Sequence, residues 1–260
     1  MGRLRTGLSA IAAVPQKART FLRLARFLAD PDIRRNANRL IHAYRKAPEF
    51  TCPCCGHRGR FDLFGDAGRL NQECPACRSK PRQRLVMLAL RNGFLSFTGR
   101  EILHFAPEAV LEQLVRSNAP RRYETADLAP GRAELCLDVE APDLPDQYCD
   151  MIICSHVLEH VDDRRALPAI RRLLRPGGEA ILLVPIVEGW AETYENDTVG
   201  SDAERHRHFE QFDHVRYFGA DFRSRVAAAG FRLSEFTAGG SDSAEYGLQR
   251  GEKVFKATRI

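Results

Sequence analysis

The sequence lacks any long apolar run. Its apolar N-terminal stretch "LSAIAAV" covers only residues 8–14, whereas a helix that spans a bilayer needs about 18 apolar residues or more. The stretch has no good cleavage context and is followed by further basic residues, so we predict neither a membrane span nor a secretory signal. Acids are also missing from residues 1–29, a trait shared with mitochondrial presequences. We expect a cytoplasmic protein.

Charge is distributed unevenly along the chain. Residues 1–50 hold eleven Lys or Arg and three acids, a net charge of +8, so the other 210 residues carry −3. Apolar residues recur at helical spacing in residues 20–29 and again in residues 33–44, which predicts a basic helical arm over residues 1–49. We expect this arm to pack as a helical hairpin on the rest of the protein. Peripheral association with an anionic membrane and RNA binding are the alternatives.

Five of the eight cysteines lie close together, in "CPCCG" and "CPACR". Four thiolates from two Cys-x-x-Cys turns are the donor set of a closed tetrahedral zinc site, which is structural because it has no open position. Such clustering also indicates a reducing compartment. We predict a zinc-ribbon-like module over residues 50–84, in which Cys54 is a spare thiol or a substitute ligand of the first pair. The predicted zinc ligands are Cys52, Cys55, Cys74 and Cys77.

From residue 101 onward, strand and helix patterns alternate. This alternation predicts an α/β domain over residues 85–260, with a mostly parallel sheet and helices on both faces. The last two strands are expected to pair antiparallel at one edge. The polar segment over residues 187–214, called the cover segment below, is long for a plain loop, so we predict that it covers the substrate. Strands are predicted at 101–105, 121–126, 134–139, 150–154, 179–185, 231–237 and 252–258, and helices at 108–117, 162–174 and 219–229.

The first of these strands leads into a turn, "HFAPE", that contains no glycine. Nucleotide-binding α/β folds use glycines here, because they let the backbone approach a pyrophosphate. Their absence argues for an adenosyl ligand without phosphate, such as S-adenosylmethionine. Ala106 is small and Pro107 opens the next helix, whose N-terminus would favour the carboxylate of the ligand, while Glu108 is placed to accept from its ammonium group.

Two aspartates end the next two predicted strands. Asp127 lies 19 residues after Glu108, near the spacing of about 20 at which an acid accepts from ribose hydroxyls. Asp138 ends the following strand, where the same positional rule favours contact with the adenine side. We predict that both face the cofactor, with a turn or helix cap as the structural alternative.

Taken in order, several segments resemble a known family. They are "CPCCG…CPACRSKPRQR", "ILHFAPE", "YETADLAP", "CLDVEAPDLP", "CDMIICSHVLEHVDDRRALPAIRRLLRPGGEAILLVPI", "ETYEN", "HFEQFDHVRYFGADFRSRVAAAGF" and "YGLQRGEKVF". Over residues 50–258 the chain resembles a type 11-like branch of the class I S-adenosylmethionine-dependent methyltransferases that carries an N-terminal zinc-ribbon-like module. The general class has a glycine-rich first turn, from which this chain departs. The resemblance implies a Rossmann-like, seven-stranded sheet with a reversed last strand. It also implies a cofactor pocket lined by Ala106, Pro107, Glu108, Asp127, Leu128, Asp138, Val139, Ser155 and His156.

The motif "CSHVLEH" holds the candidate catalytic residues. His156 and His160 lie four apart and would share a helical face. With Glu159 they suggest a metal site, but an acid beside the second histidine differs from the metalloprotease spacing. Pocket lining and helix capping near the cofactor are the favoured interpretation, and His156 or His160 is the candidate proton acceptor. Whether the histidines of the cover segment act chemically is left open.

The expected reaction is an in-line displacement at a sulfonium. Holding the two reactants in near-attack geometry alone supplies about 7–11 kcal/mol, and a base is needed only if the acceptor must lose a proton. We expect a small-molecule, saccharide or lipid-linked acceptor. The alternatives are an RNA-directed methyltransferase and a non-catalytic adenosyl-binding protein. RNA recognition is suggested by aromatic residues interleaved with basic ones in the module, namely Phe50, Arg58, Arg60, Phe61, Phe64, Arg78, Arg82 and Arg84.

Overall fold

The computed structural model describes residues 30–64 and 69–260, in two compact units that divide between Pro48 and Glu49. In the first unit, helix α1 spans Pro31–Arg45. Its first turn is capped by Asp30, whose carboxylate accepts from the amides of Asp32 at 2.8 Å and Ile33 at 3.2 Å. The predicted helix over residues 20–29 lies outside the described residues. Packing of the arm therefore stays a prediction.

The second unit begins with the cysteine module. Two short antiparallel pairs, β1 with β2 and β3 with β4, surround a small core of Cys52, Phe61 and Cys74. Helix α2 follows, with Pro81 at its first position, and its apolar side enters the core of the large sheet. The predicted boundary between residues 84 and 85 falls within this helix. The elements are β1 (Phe50–Thr51), β2 (Arg58–Gly59), β3 (Asp62–Phe64), β4 (Arg69–Glu73) and α2 (Pro81–Arg91).

The large sheet has seven strands in the order β12-β13-β9-β8-β5-β6-β7. Strand β13 runs antiparallel to both of its neighbours, and the other adjacent pairs are parallel. The predicted seven-stranded, Rossmann-like α/β fold with a reversed last strand is therefore confirmed. The strands are β5 (Glu101–Phe105), β6 (Arg122–Asp127), β7 (Leu135–Cys136), β8 (Cys149–Ser155), β9 (Leu174–Leu183), β12 (Phe231–Thr237) and β13 (Lys253–Arg259).

Buried side chains cover both faces of this sheet. In β5, Leu103 and Phe105 belong to one core cluster and Ile102 belongs to the other. Because parallel strands covered on both sides bury every position, β8 reads as the unbroken apolar run "MIIC". The helices outside the module are α3 (Ala109–Ser117), α4 (Asp163–Leu173), α5 (Asp202–Phe209), α6 (Phe222–Ala228) and α7 (Gly240–Glu245).

The cover segment has secondary structure of its own. It contains α5 and the strand β10 (Tyr194–Glu195), which pairs antiparallel with β11 (Arg216–Tyr217) just after the segment. A Ser201–Glu204 capping box starts α5, with the Ser201 hydroxyl accepting from the Glu204 amide at 3.3 Å. In the described part of the chain, no helix combines the length and apolar character of a membrane span. Localisation in the cytoplasm stays a prediction.

Candidate functional site

Parallel register brings three predicted pocket residues together. Phe105, the last residue of β5, is the register partner of the penultimate residues of both β6 and β8. The residues that come next, Ala106, Asp127 and Ser155, are therefore neighbours at the carboxyl edge of the sheet. The amide of Ala106 donates to the carbonyl of Ala126 at 2.8 Å, which closes the turn onto β6. Ligands bind at this edge in open α/β sheets.

The first turn is strained at Ala106. Ala106 has a φ of 49°, in the left-handed region. Glu108 is the N-cap residue of α3, yet its side chain does not cap the helix. The first amides of α3 are thus not capped by this carboxylate, and an N-terminus of this kind favours an anionic group such as the carboxylate of S-adenosylmethionine.

The Glu108 carboxylate is already paired inside the protein. It accepts from Arg82 Nε at 2.9 Å, from a second nitrogen of the Arg82 guanidinium, and from the Ser155 hydroxyl at 2.9 Å. Burial alone would raise the pKa of Glu108, but Arg82 and Ser155 hold it below the usual value. An ammonium group would have to share this carboxylate with Arg82, so the ligand contact expected of Glu108 stays a prediction.

Substituting Ala106 with glycine is expected to stabilise the protein by about 0.5–1 kcal/mol. A non-glycine residue in the left-handed region costs about 1–2 kcal/mol, whereas glycine loses about 0.5–1 kcal/mol of extra chain freedom on folding. Urea unfolding measures the difference. The control Ala109→Gly, within the first turn of α3, should instead destabilise by up to about 1 kcal/mol. Equal destabilisation by both substitutions would contradict the left-handed turn.

The two aspartates predicted to face the cofactor, Asp127 and Asp138, each accept a hydrogen bond that closes a turn. Asp127 Oδ1 accepts from the Ala129 amide at 2.8 Å, and Asp138 Oδ1 accepts from the Glu140 amide at 2.9 Å. The second oxygen of Asp127 lies 3.9 Å from Arg132 Nε and keeps acceptor capacity for a ribose hydroxyl. Asp127 therefore fits S-adenosylmethionine while it also shapes the loop that follows β6. The structure leaves Leu128 exposed and buries Val139 in the core.

His156 and Glu159 form a dyad in the loop after β8. His156 has a φ of 55°, and its Nδ1 lies 2.8 Å from Glu159 Oε1. Burial would raise the pKa of the fully buried Glu159, but His156 holds it below the usual value. A carboxylate that accepts from Nδ1–H leaves the other ring nitrogen, Nε2, as a proton acceptor. The family resemblance implied that His156 lines the pocket, whereas Glu159 was considered only as part of a metal set, and the hydrogen bond between them was not predicted.

The end of the cover segment and the residue that follows it pack against this loop. The amide of Val215 donates to the carbonyl of Glu159 at 3.0 Å, and His160 Nδ1 lies 3.1 Å from the carbonyl of Asp213. The rings of His160 and His214 meet edge to face at 4.7 Å. The two histidines of "HVLEH" therefore have different partners, because His156 contacts Glu159 whereas His160 faces the end of the cover segment.

Partly buried ion pairs connect the cover segment to a buried carboxylate at the start of α4. Asp163, fully buried at the start of α4, lies 2.9 Å from Arg216 Nη1 and 3.2 Å from Arg225 Nη1. Glu195 of the cover segment joins them, 2.7 Å from Arg225 Nη1. Charged groups this deeply buried are stable only when they are paired. Sequence analysis did not single out these four residues, because each pair is far apart in the chain.

Two other residues near the first turn were missed. Arg82 was considered only as a contact for RNA, although it pairs with Glu108. Glu252, before β13, has a buried Oε2 with no hydrogen-bond partner among residues 30–64 and 69–260. Burial raises the pKa of Glu252, and the nearby His156 and Arg82 oppose that rise. The motif "YGLQRGEKVF" was the only signal that pointed to this position.

The four predicted zinc ligands converge in the module. The sulfurs of Cys52 and Cys77 lie 3.6 Å apart, and those of Cys55 and Cys74 lie 3.7 Å apart. All four lie within 4.8 Å of one another. Because a zinc–sulfur bond is about 2.3 Å, sulfurs on a tetrahedron around zinc are about 3.8 Å apart. The residues present therefore fit a tetrahedral zinc ion.

Cys54 lies beside this cluster without belonging to it. A side-chain hydrogen bond with Cys54 lowers the pKa of Cys52 to about 3, although burial alone would raise it. The same hydrogen bond and burial raise the pKa of Cys54. The Sγ of Cys54 lies 4.0 Å from the carbonyl of Gln83, and its role as a spare thiol stays a prediction.

Comparison with known proteins finds a family match within the sheet domain. The model of a methyltransferase domain family matches residues 98–182, while no curated protein sequence matches the chain significantly. Similar solved structures include an S-adenosylmethionine-dependent methyltransferase from Mesorhizobium loti (15% identity, TM-score 0.49, covering 67% of this chain and 98% of that chain). Another is the 1,6-didemethyltoxoflavin-N1-methyltransferase of Burkholderia thailandensis (17%, 0.45, 68% and 76%). The family match begins just before β5 and ends within β9, so this part of the sheet domain is similar to a methyltransferase domain.

Proposed function

We propose that this chain transfers the methyl group of S-adenosylmethionine to a small-molecule, saccharide or lipid-linked acceptor held beneath the cover segment. The family match supports methyl transfer from this cofactor. The observation that carries the acceptor class is the ordered cover segment: Glu195 pairs with Arg216 and Arg225, and the end of the segment meets the loop after β8 through Asp213. An enclosed site excludes water and suits a compact acceptor.

Aromatic packing inside the cover segment supports an enclosed site. The Tyr194 hydroxyl lies 2.6 Å from His208 Nδ1, and the centres of the Tyr194 and Phe209 rings are 5.5 Å apart. Trp190 meets both Tyr194 and Tyr217 edge to face at 6.2 Å. Trp190 is 44% exposed, so it offers an apolar surface to an acceptor, as aromatic residues do in saccharide and small-molecule sites.

In this proposal, S-adenosylmethionine supplies an electrophilic methyl group on its sulfonium. Asp127 accepts from the ribose, and the N-terminus of α3 holds the carboxylate of the ligand. The dyad supplies a proton acceptor, because Glu159 accepts from His156 Nδ1 and leaves Nε2 of that ring for the acceptor hydroxyl. Positioning by these groups does most of the work, since methyl transfer needs in-line geometry above all.

The residues that suggested RNA binding are largely engaged in internal packing. Phe61 and Arg84 are fully buried, with the Arg84 guanidinium 4.5 Å from the Phe61 ring centre. Lys80 covers the ring of Phe64 at 3.9 Å, and Arg82 pairs with Glu108. RNA binding through stacked bases would need exposed aromatic faces. The packing therefore favours the compact acceptor over RNA, which remains the alternative substrate.

We also propose that Cys52, Cys55, Cys74 and Cys77 hold a structural zinc ion. The tetrahedral spacing of the sulfurs and the small core of the module support this assignment. A four-thiolate set leaves no open position, so the ion would stabilise the fold and take no part in methyl transfer. In the reducing cytoplasm that we predict, these thiolates stay available for metal.

Asp127→Ala is expected to weaken binding of S-adenosylmethionine by about 1.5–3 kcal/mol, because it removes a charged acceptor of ribose hydrogen bonds. Isothermal titration calorimetry measures the change. Asp127→Asn separates this role from the turn, since the amide oxygen can still accept from Ala129 while the charge is lost. Asp143→Ala, at an exposed acid, is the matched control.

The outcomes distinguish the two roles of Asp127. Weaker binding in both Asp127 variants, with unchanged binding by Asp143→Ala, supports the ribose contact. Wild-type affinity in a folded Asp127→Asn chain contradicts it. Transfer of a labelled methyl group is then screened on saccharide, lipid-linked, small-molecule and RNA fractions. Labelling confined to RNA would replace the proposed acceptor class.

A further inference from the structure

A second cluster of potential metal ligands lies where the loop after β8 meets the end of the cover segment. Glu159, His160 and His214 each offer one ligand atom, and these atoms lie within 4.8 Å of one another. Glu159 is fully buried, and His214 is 8% exposed. The cluster therefore brings together two residues of the motif "CSHVLEH" and His214, the last residue of the cover segment. It is separate from the four cysteines of the module.

Two buried polar atoms in this cluster lack partners. Glu159 uses Oε1 to accept from His156, but its Oε2 has no hydrogen-bond partner within residues 30–64 and 69–260. The same holds for Nδ1 of His214. Leaving a buried charged or polar group unsatisfied is costly, and such groups in folded proteins usually have a partner, an ordered water or an ion. Two unsatisfied groups in one cluster indicate a shared ligand.

The surroundings prepare these side chains for a cation. His160 Nδ1 lies 3.1 Å from the carbonyl of Asp213, so this nitrogen must carry the proton, and Nε2 keeps its lone pair. Metal-bound histidines commonly donate their second ring N–H to a carbonyl or carboxylate in this way. Burial lowers the pKa of His214, which favours the neutral imidazole that a metal requires.

We propose that Glu159, His160 and His214 bind one divalent transition-metal ion. Two imidazoles and a carboxylate suit zinc, cobalt, nickel or ferrous iron, and they differ from the all-oxygen sets that calcium and magnesium prefer. Three protein ligands leave at least one coordination position open, as in catalytic sites and unlike the closed four-cysteine site. A water molecule held by the same three residues is the rival occupant.

The site lies where an acceptor would meet the cofactor. Two of its ligands, Glu159 and His160, follow the carboxyl end of β8, and Glu159 also contacts His156. An ion here would lower the pKa of a hydroxyl bound at its open position, and His156 could then take the proton. This role rests on the proposed methyl transfer, whereas metal binding does not.

Metal stoichiometry of the full chain tests the site. The chain is stripped with a chelator under reducing conditions and titrated with Co²⁺. We expect two equivalents in the wild type, one with the intense sulfur-to-cobalt absorption of a thiolate site and one without it. Glu159→Gln and His214→Gln should each weaken the second equivalent by about 100-fold or more, since even loss of an outer-shell partner costs about 10–100-fold. His206→Gln, at an exposed histidine of α5, should keep both equivalents.

Several results would overturn the proposal. A wild-type chain that takes only the thiolate-bound equivalent excludes a second site, whatever the variants do. So does a second equivalent that binds equally in Glu159→Gln and His214→Gln, or one that is lost in His206→Gln instead. Circular dichroism confirms folding, and His160→Gln replaces either variant if it fails to fold. No step of this test measures S-adenosylmethionine binding or methyl transfer, so its outcome is independent of the proposed function.

Discussion

Replacing Cys74 with serine is expected to abolish zinc binding and to unfold the module over residues 50–80. Four clustered thiolates bind structural zinc with an apparent free energy of about 10–16 kcal/mol, and this energy is part of the folding free energy. The buried core of the module consists of Cys52, Phe61 and Cys74, so it has little apolar burial of its own to replace the metal. The measurements are metal content by mass spectrometry and accessible thiols by titration.

Cys136→Ser is the matched control for this experiment. Cys136 is exposed on β7, far in sequence from the four-cysteine cluster. Its substitution should therefore leave the metal content unchanged. Cys54→Ser tests the fifth cysteine of the module and should retain zinc, because Cys54 lies outside the tetrahedral set. Wild-type chain without zinc, in which the four thiols react freely, would refute the structural ion.

The sheet and the clustering of the four cysteines could be predicted because their signals are local. Buried parallel strands need apolar residues at every position, so β5 and β8 are visible as short apolar runs. The two Cys-x-x-Cys turns bring their own sulfurs together within five residues each. Element ends were less certain. The strand predicted at 134–139 pairs only over Leu135–Cys136, because the loop that carries Asp138 turns away from the sheet.

The partners of the site residues could not be predicted in the same way. Glu108 was expected to meet the ligand, but Arg82, which is 26 residues away in the chain, occupies it. Likewise the partner of His160 comes from Asp213, which is 53 residues away. Such pairs depend on the packing of whole elements, and neither hydrophobic periodicity nor motif spacing encodes them.

These long-range pairs connect the cysteine module to the candidate cofactor site. Helix α2 starts just after the second Cys-x-x-Cys turn and supplies Arg82 to Glu108 in the first turn. Its apolar residues enter the same core cluster as Ile102 of β5. Loss of zinc should therefore disturb the position of Glu108 as well as the module. The proposed zinc ion would thereby support the site without taking part in the chemistry.

Arg84→Met is expected to destabilise the second unit by about 3–5 kcal/mol, because it leaves several buried carbonyls without their donor. The fully buried guanidinium donates to the carbonyls of Ser79 at 2.5 Å and Gln72 at 3.1 Å in the module. It also donates to those of Tyr246 at 2.9 Å and Gly247 at 2.7 Å before β13. Methionine fills much of the volume but leaves these carbonyls without their donor, and each unmet buried acceptor costs about 1–3 kcal/mol.

Thermal melting and urea unfolding of the zinc-loaded chain measure this loss, and Arg91→Met is the matched control. Arg91 lies on the exposed side of the same helix and donates to one carbonyl, that of Pro53, at 2.6 Å. It should therefore cost no more than about 1 kcal/mol, as for one ordinary hydrogen bond. Arg84→Lys should fall between the two, because an ammonium group cannot reach carbonyls on both sides of the guanidinium plane. If Arg84→Met and Arg91→Met unfold at the same urea concentration, Arg84 does not join the module to the segment before β13. The zinc site would then have to be coupled to the sheet through the apolar side of α2 alone.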